Sequence, residues 1–225
     1  MKRFAIIVAG GSGTRFGGPL PKQFLPLKGT PVLMHTVGKF AAAGAQVVLA
    51  LPAAHMALWR QLCATHGFSV PHRVVEGGAS RFASVKNALG ALRLEAGDVV
   101  AVHDGVRPLA SAALIERAFT TAGSAGSAVP VVAVSDSVRQ VAPDGTSVAL
   151  ERATLRAVQT PQAFTAAVLT AAYAVDDSPL FTDDASVVEA SGRRVTLIEG
   201  EPTNIKITHP LDIAIAEEIM DHAGA

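Results

Sequence analysis

Short apolar segments alternate with helical patterns along most of this 225-residue chain. The segments that predict strands include residues 4–8, 46–51, 73–75, 98–102 and 129–134, and most of them are nearly continuous apolar runs. Strands that are buried on both faces have this composition, and helices serve as the crossovers between them. The pattern predicts an α/β fold with a mostly parallel sheet and helices on both faces.

Helical patterns fill the segments between these strands. They cover residues 30–43 and 53–66, follow Ser80 and Ser111, and return at residues 165–175, after Thr182 and near Pro210. A further strand is predicted at residues 195–198. Ligands in such folds bind beyond the carboxyl ends of the strands. We therefore expect the loops at residues 10–23, 76–84 and 103–108 to meet at one edge of the sheet.

The alternation breaks between about residues 135 and 160. Two segments, 137–141 and 147–152, flank the turn sequence Pro143-Asp144-Gly145-Thr146, which predicts a β-hairpin. A lone two-stranded hairpin is at best marginally stable in water, so it should lie against its own domain or against a second subunit. We expect a single domain over residues 1–225, with residues 135–155 as a protruding arm.

The first strand opens into a glycine-rich loop, Ala9-Gly10-Gly11-Ser12-Gly13-Thr14-Arg15, and Pro21-Lys22-Gln23 follows. Glycines let backbone N–H groups turn toward an anion, and Arg15 and Lys22 add two cations, as a polyphosphate requires. The spacing differs from a P-loop and from the dinucleotide fingerprint, because Lys22 follows proline and Phe16 stands where a third glycine belongs. The loop therefore predicts a different kind of phosphate site.

Charge and composition narrow the class of ligand. Lysines and arginines are spread over residues 1–75, whereas no Asp or Glu occurs before Glu76. This asymmetry favours an anionic ligand at the N-terminal half, but the cations are too dispersed to indicate nucleic acid. The single cysteine, Cys63, has no disulfide partner, and no apolar run is long enough for a membrane span. We expect a soluble cytoplasmic protein that binds neither nucleic acid nor membrane.

Taken together, several segments resemble one family, the 2-C-methyl-D-erythritol 4-phosphate cytidylyltransferases. They occur in family order from one end of the chain to the other: the glycine loop with Pro21-Lys22-Gln23, Glu76-Gly77-Gly78 with Arg81 and Ser84, His103-Asp104-Gly105-Val106-Arg107-Pro108, Gln159-Thr160-Pro161-Gln162-Ala163-Phe164, Thr182-Asp183-Asp184-Ala185 and Asn204-Ile205-Lys206-Ile207-Thr208. The resemblance implies a Rossmann-like nucleotidyltransferase fold, a β-arm that interlocks a homodimer, and transfer of a cytidylyl group from CTP with release of pyrophosphate.

The resemblance also implies roles for individual residues. Arg15, Lys22, Arg152 and Lys206 would be catalytic. CTP would be bound by the following: Ala9, Gly10, Gly11, Ser12, Gly13, Thr14, Gly78, Ser84 and Asp104. The phosphorylated polyol that accepts the cytidylyl group would be bound by the following: Asp104, Arg107, Ser137, Arg152, Thr160, Thr182 and Lys206. Thr182 is equally compatible with a helix cap.

The chemistry explains why the chain contains no nucleophile triad. A phosphate monoester has a second pKa of about 6, so the acceptor is mostly dianionic at neutral pH and needs no protein base. Catalysis then depends on positioning and on stabilising charge at the α-phosphorus. Mg²⁺ is expected to bridge phosphate oxygens, and Asp104 is the one candidate for a direct protein ligand.

Alternative functions remain at this stage. Gly105-Val106 is also compatible with the ribitol-5-phosphate cytidylyltransferases, whereas Arg152 matches the methylerythritol enzymes. A sugar-1-phosphate nucleotidyltransferase would share the glycine loop but lack the Gln-Thr-Pro-Gln segment. A nucleotide-binding regulatory protein is disfavoured by the presence of Arg15, Lys22 and Lys206, and a nicotinamide-dependent oxidoreductase by Phe16 and by the missing acidic residue.

Overall fold

The computed structural model describes residues 1–10 and 20–223. The strands are β1 (Arg3–Val8), β2 (Pro26–Leu27), β3 (Thr30–Pro31), β4 (Gln46–Leu51), β5 (Arg73–Glu76), β6 (Val99–Asp104), β7 (Ser127–Ala133), β8 (Arg139–Val141), β9 (Ser147–Ala149), β10 (Arg156–Val158), β11 (Gln162–Thr165) and β12 (Leu197–Glu199). The helices are α1 (Val32–Ala42), α2 (Ala53–Thr65), α3 (Arg81–Gly90), α4 (Ala112–Ala125), α5 (Ala166–Ala172), α6 (Asp184–Ala190) and α7 (Leu211–Ala223). Short 3-10 turns form at Lys22–Phe24 and Arg152–Thr154.

The central sheet has the strand order β10-β7-β11-β6-β1-β4-β5, and β12 pairs with β7. The pairs β6-β1, β1-β4, β4-β5 and β12-β7 are parallel. Within the described part of this sheet, the antiparallel pairs are those that β10 and β11 make with β7 and β6. The α/β fold with a mostly parallel sheet is therefore confirmed.

Both faces of the sheet are covered, which explains the continuous apolar strands. Successive residues of β1 alternate between two core clusters: Ala5 and Ile7 belong to one, and Phe4 and Ile6 to the other. The first cluster takes side chains from α1, α2 and α4, and the second takes them from α3, α5 and α6. Every position of such a strand must be apolar, because each of its faces packs against helices.

The local signals for several helix ends are confirmed. The Ser80 hydroxyl accepts a hydrogen bond from the Ala83 N–H and begins α3, and the Ser111 hydroxyl caps α4 in the same way. Asp183 begins α6 with a capping box that also uses Ser186. Thr182 is therefore not the cap of this helix, because the carboxylate of the next residue accepts the Ser186 N–H instead.

Two predicted elements differ from the structure. Residue 165 was expected to lie in a helix, but Gln162–Thr165 forms the buried strand β11 and α5 begins only at Ala166. A four-residue strand carries too little pattern to be recognised, and its antiparallel pairing is a tertiary contact. The last strand, β12, lies at Leu197–Glu199 rather than at residues 195–198.

The predicted hairpin is present. Strands β8 and β9 pair antiparallel, and Gly145 has the positive φ of 84° that its turn requires. The pairing covers only three residues of each strand, and all of these residues are exposed. The hairpin therefore has no core of its own within the chain.

Among the described residues, every helix is too short or too polar to cross a lipid bilayer.

Candidate active site

A cavity of about 310 Å³ opens beyond the carboxyl ends of β1 and β6, where α/β sheets commonly bind ligands. Its wall includes parts of the loop after β1, the loop between β5 and α3, and the loop after β6. The expected meeting of three loops at one edge is confirmed for the described residues. Seven residues with predicted site roles line the cavity: Ala9, Gly10, Lys22, Gly78, Ser84, Asp104 and Lys206.

Lys22 enters the cavity wall from the 3-10 turn Lys22–Phe24. This turn is anchored by the next residue, Gln23, which is fully buried and donates its amide N–H to the Ala9 carbonyl at 3.0 Å. Phe24 packs into the core on the same side as α1 and α2. The turn is thus held against the end of β1, which determines where the Lys22 side chain starts.

The other cation of the phosphate loop, Arg15, lies outside the described residues, as do Gly11, Ser12, Gly13 and Thr14. Their assigned roles stay predictions from the sequence. Ala9 and Gly10, which precede them, line the cavity, so the loop begins at the site.

Gly78 and Ser84 form a compact corner of the cavity. The Gly78 N–H donates to the Ser84 hydroxyl at 3.0 Å, and this hydroxyl donates to the Ser80 carbonyl at 2.8 Å. A Cβ atom at Gly78 would lie 2.3 Å from the Cβ atom of Ala83, so no other residue fits without a backbone shift. The corner brings backbone polar groups and a hydroxyl to one wall, which suits recognition of a polar base edge.

Asp104 is surrounded by three cations. Its Oδ2 atom lies 3.0 Å from Lys206 Nζ and 3.3 Å from Arg107 Nε, and its Oδ1 atom lies 3.8 Å from Arg81 Nε. Burial by itself would raise the pKa of Asp104, but Lys206, Arg81 and Arg107 outweigh it and hold the pKa well below its usual range. The carboxylate is therefore ionised at neutral pH, and the cations around it outnumber it.

Arg81 is a cavity residue to which the sequence assigned no role of its own. Its Nη2 atom lies 2.6 Å from Asp184 Oδ2, and the Tyr173 hydroxyl donates to Asp184 Oδ1 at 2.7 Å. Asp184 is fully buried, and burial and this carboxylate together raise the pKa of Tyr173. One sequence signal could have indicated a role for Arg81 at the site. Arg81 follows Glu76-Gly77-Gly78 in the family match and stands three residues before Ser84.

The Gln-Thr-Pro-Gln segment is a buried hydrogen-bonding hub. The Gln159 amide donates to the Glu201 carbonyl at 2.8 Å and accepts from the Glu201 N–H at 3.1 Å. The Gln162 amide donates to Asp183 Oδ2 at 2.8 Å and accepts from the Ala185 N–H at 2.8 Å. The two glutamines therefore join the segments around residues 201 and 184 to the sheet.

Thr160 and Arg107 do not line the cavity themselves, but both contact Asp104, which does. Thr160 is 4% exposed, and its hydroxyl accepts the Asp104 N–H at 3.1 Å. Arg107 Nη1 donates to the Asn204 carbonyl at 2.8 Å, and the Asn204 amide donates to the Thr160 carbonyl at 2.8 Å. These bonds connect three of the matched segments, and they bring Thr160, Arg107 and Lys206 into one cluster.

Besides Arg107 and Thr160, three predicted site residues do not line the cavity formed by this chain. Arg152 is exposed on the arm, where its Nη1 atom donates to the Ser135 carbonyl at 2.6 Å. Ser137 and Thr182 are also exposed. The roles of Ser137, Arg152 and Thr182 at the site therefore stay predictions from the sequence.

Comparison with known proteins assigns the family. The model of the family described as 2-C-methyl-D-erythritol 4-phosphate cytidylyltransferase matches residues 4–222. A protein of this name from Bacteroides thetaiotaomicron is 46% identical over 222 residues, covering 98% of this chain and all of that protein. One from Porphyromonas gingivalis is 48% identical over 220 residues, with 97% and 98% covered.

Solved structures of similar proteins agree with these relatives. The 2-C-methyl-D-erythritol 4-phosphate cytidylyltransferase of Thermus thermophilus superposes with a TM-score of 0.76 at 34% identity, and 97% of this chain and 98% of that chain are covered. The 4-diphosphocytidyl-2C-methyl-D-erythritol synthase of Anaerococcus prevotii gives a TM-score of 0.80 at 26% identity, with 97% and 99% covered. Sequence, fold and cavity residues lead to the same conclusion: this chain belongs to the 2-C-methyl-D-erythritol 4-phosphate cytidylyltransferase family.

Proposed function

We propose that this chain transfers a cytidylyl group from CTP to 2-C-methyl-D-erythritol 4-phosphate, giving 4-diphosphocytidyl-2-C-methyl-D-erythritol and pyrophosphate in isoprenoid biosynthesis. The observation that carries the proposal is the cavity, which has Lys22 and the Gly78 corner on its wall together with the Asp104 and Lys206 pair. Lys22 and the Gly78 corner could bind a nucleotide, and Lys206 could bind a second phosphate ester. Membership of the family specifies the acceptor.

The reaction is an in-line displacement at phosphorus. An oxygen of the acceptor phosphate forms a bond to the α-phosphorus of CTP, the bridging bond from the α-phosphorus to the β-phosphate oxygen breaks, and pyrophosphate leaves with that electron pair. The acceptor is already dianionic, so the residues need only align the two substrates and stabilise charge.

The two substrates would occupy different parts of the site. Lys22 and Arg15 would hold the triphosphate and the pentacoordinate α-phosphorus, and the Gly78 and Ser84 corner would bind the cytosine. The acceptor phosphate would lie near Arg107 and Lys206, where the positive charge around Asp104 is in excess. Because Lys206 is only half buried and faces the cavity, its ammonium group is accessible to a ligand.

We also propose Mg²⁺ as the cofactor. Among the described residues, no cluster of three or more His, Cys, Asp or Glu side chains could hold a metal ion, and Asp104 is the acidic residue of the cavity wall. This donor set fits Mg²⁺, which is typically held by substrate phosphates with one or two carboxylates. When bound, the ion would neutralise phosphate charge, while Lys22 and Lys206 orient the reacting groups.

We further infer that the working form is a homodimer. The arm exposes large apolar side chains, with Val141 66% and Val148 60% exposed, and its two strands are too short to be stable without a partner surface. A second copy of the chain would cover them and would accept Arg152 and Ser137 near its own cavity.

A cytoplasmic location fits the free thiol of Cys63, the single cysteine of the chain.

Acceptor selectivity tests the proposed function. With CTP and Mg²⁺, we expect pyrophosphate release from 2-C-methyl-D-erythritol 4-phosphate to exceed that from D-ribitol 5-phosphate at least about tenfold, since one methyl group is worth about 10–200-fold and specific hydroxyl contacts add to it. The measurement is a coupled pyrophosphate assay with both acceptors in parallel, and a reaction without acceptor is the control. Equal or faster turnover of ribitol phosphate would reject the proposed acceptor.

Subunit complementation tests the arm. We expect Arg152→Ala and Lys22→Ala chains to be nearly inactive alone but to regain about a quarter of the wild-type activity after equal mixing and subunit exchange, since half of the dimers would hold one intact site of two. Exchange is verified with differently tagged chains. If mixed dimers form and activity does not return, Arg152 does not act on the partner's site.

A further inference from the structure

His103 is a buried histidine with a hydrogen-bond partner at each ring nitrogen. It is fully buried at the end of β6, and its ring centroid lies 4.8 Å from that of Phe40. Its Nε2 atom lies 3.0 Å from the Arg107 carbonyl oxygen, and its Nδ1 atom lies 3.0 Å from the Thr160 hydroxyl. A ring held in this way can have only one tautomer, and this tautomer follows from the partners.

The direction of each hydrogen bond can be assigned. A carbonyl oxygen only accepts, so Nε2 carries the proton and Nδ1 presents a lone pair. Full burial lowers the pKa of His103, although the hydrogen bond to the Arg107 carbonyl and the Asp104 carboxylate oppose this decrease, so the neutral ring is favoured. The Thr160 hydroxyl must then donate to Nδ1, and it accepts the Asp104 N–H at 3.1 Å.

One imidazole therefore holds both ends of the turn from Asp104 to Arg107. Through Thr160 it fixes the Asp104 N–H, and directly it fixes the Arg107 carbonyl. The side chains of this turn form the charge cluster with Lys206. A small tilt of the turn would move the Asp104 carboxylate and the Arg107 guanidinium together, relative to the opposite cavity wall.

We propose that His103 is a positioning residue for the acceptor phosphate: its neutral ring sets the direction of the Thr160 hydroxyl and the place of the Asp104 and Arg107 side chains. This inference rests on the proposed function, because that function places the acceptor phosphate at Arg107 and Lys206. The cytosine corner at Gly78 and Ser84 does not hydrogen-bond to the ring. Asp104 is the one group of this turn that is also predicted to bind CTP, so the effect of His103 should fall mainly on the acceptor and only weakly on CTP.

Two substitutions separate the two hydrogen bonds. The amide of His103→Gln reaches the position of Nε2 and keeps a donor for the Arg107 carbonyl, while the amide of His103→Asn reaches that of Nδ1 and keeps an acceptor for Thr160. We expect each variant to raise the KM for the acceptor by about tenfold or more, because a buried group is left unpaired, while the KM for CTP stays within about threefold. Thr160→Val should give the same effect, and combining it with His103→Gln should add little.

His72 offers a matched control. It also has a partner at each ring nitrogen, with Trp59 Nε1 2.9 Å from its Nε2 atom and the Val70 carbonyl 2.7 Å from its Nδ1 atom, but it does not line the active-site cavity. His72→Gln should leave both KM values unchanged. If His103 only fills space, its variants should lower stability but should not change the acceptor KM relative to the CTP KM. That result would overturn the proposal.

A spectroscopic test is independent of turnover. In ligand-free protein labelled with [¹⁵N]histidine, long-range proton–nitrogen spectra recorded near pH 8 should show the His103 ring as the Nε2–H tautomer. The Nδ1–H tautomer would overturn the assignment. A wild-type enzyme that fails to use 2-C-methyl-D-erythritol 4-phosphate would reject the proposed function instead, and the two failures are therefore distinguishable.

Discussion

Replacing Lys22 with alanine is expected to lower kcat by about 10²–10³-fold, the usual loss when one preorganised group that stabilises transition-state charge is removed. Lys22 lines the cavity from a turn whose backbone is held by Gln23 and Phe24, so its removal deletes a charge without loosening the anchor. Steady-state kinetics with CTP and the acceptor measure the effect, and circular dichroism with thermal unfolding verifies the fold.

Lys2→Ala is the matched control for this lysine. Lys2 is exposed, pairs with Glu95 at 3.0 Å and lies outside the active-site cavity, so turnover should stay at the wild-type level. The sequence predicts that Arg15→Ala has an effect as large as that of Lys22→Ala. A folded Lys22→Ala enzyme with turnover within about threefold of wild type would contradict the assignment, given the expected 10²-fold minimum.

Replacing Asp184 with alanine should lower the free energy of unfolding by about 3–5 kcal/mol, the typical cost of leaving a buried charge without its partner. Asp184 is fully buried and is the near carboxylate of Arg81, at 2.6 Å. Without it the guanidinium is left with the longer 3.8 Å contact to Asp104, and the Tyr173 hydroxyl loses its acceptor as well. Urea unfolding monitored by circular dichroism measures the difference.

Two companion variants identify the cause of this loss. Tyr173→Phe removes one hydrogen bond to Asp184 but keeps the ion pair, so it should cost only about 1 kcal/mol. Asp176 is an exposed acidic residue that precedes α6, the helix that Asp184 begins. Asp176→Ala should therefore change the free energy of unfolding by less than about 0.5 kcal/mol. An Asp184→Ala protein as stable as Asp176→Ala would show that Arg81 finds another partner or becomes hydrated.

Patterns in the sequence were sufficient for the elements whose signals are local. The capping serines Ser80 and Ser111 mark the starts of α3 and α4, and the turn with Gly145 marks the hairpin. The apolar strands predicted the covered sheet, because burial on both faces requires an apolar residue at every position. Even the meeting of three loops at one edge followed from the parallel arrangement.

Local signals were insufficient where partners distant in the chain decide the structure. Strand β11 exists because Gln162–Thr165 pairs with β6 and β7. Four residues carry too little pattern to predict such pairing from the sequence. Thr182 was open to two readings, and the structure excludes the cap because the Asp183 carboxylate takes that place. Arg152 does not line the cavity of its own chain and donates to the Ser135 carbonyl instead, and the order of motifs along the chain could not predict this contact.

The sequence by itself determined the fold class, the family and the residues that gather at the cavity, since periodicity, capping and motif order are all properties of neighbouring positions. Only the tertiary structure decided how those residues are used. It turned Gln159 and Gln162 into structural links, placed Arg81 between Asp104 and Asp184, and set the Thr160 hydroxyl against His103. The reason is physical: the energy of a buried ion pair or hydrogen bond depends on distance and burial, which exist only after distant segments have packed together.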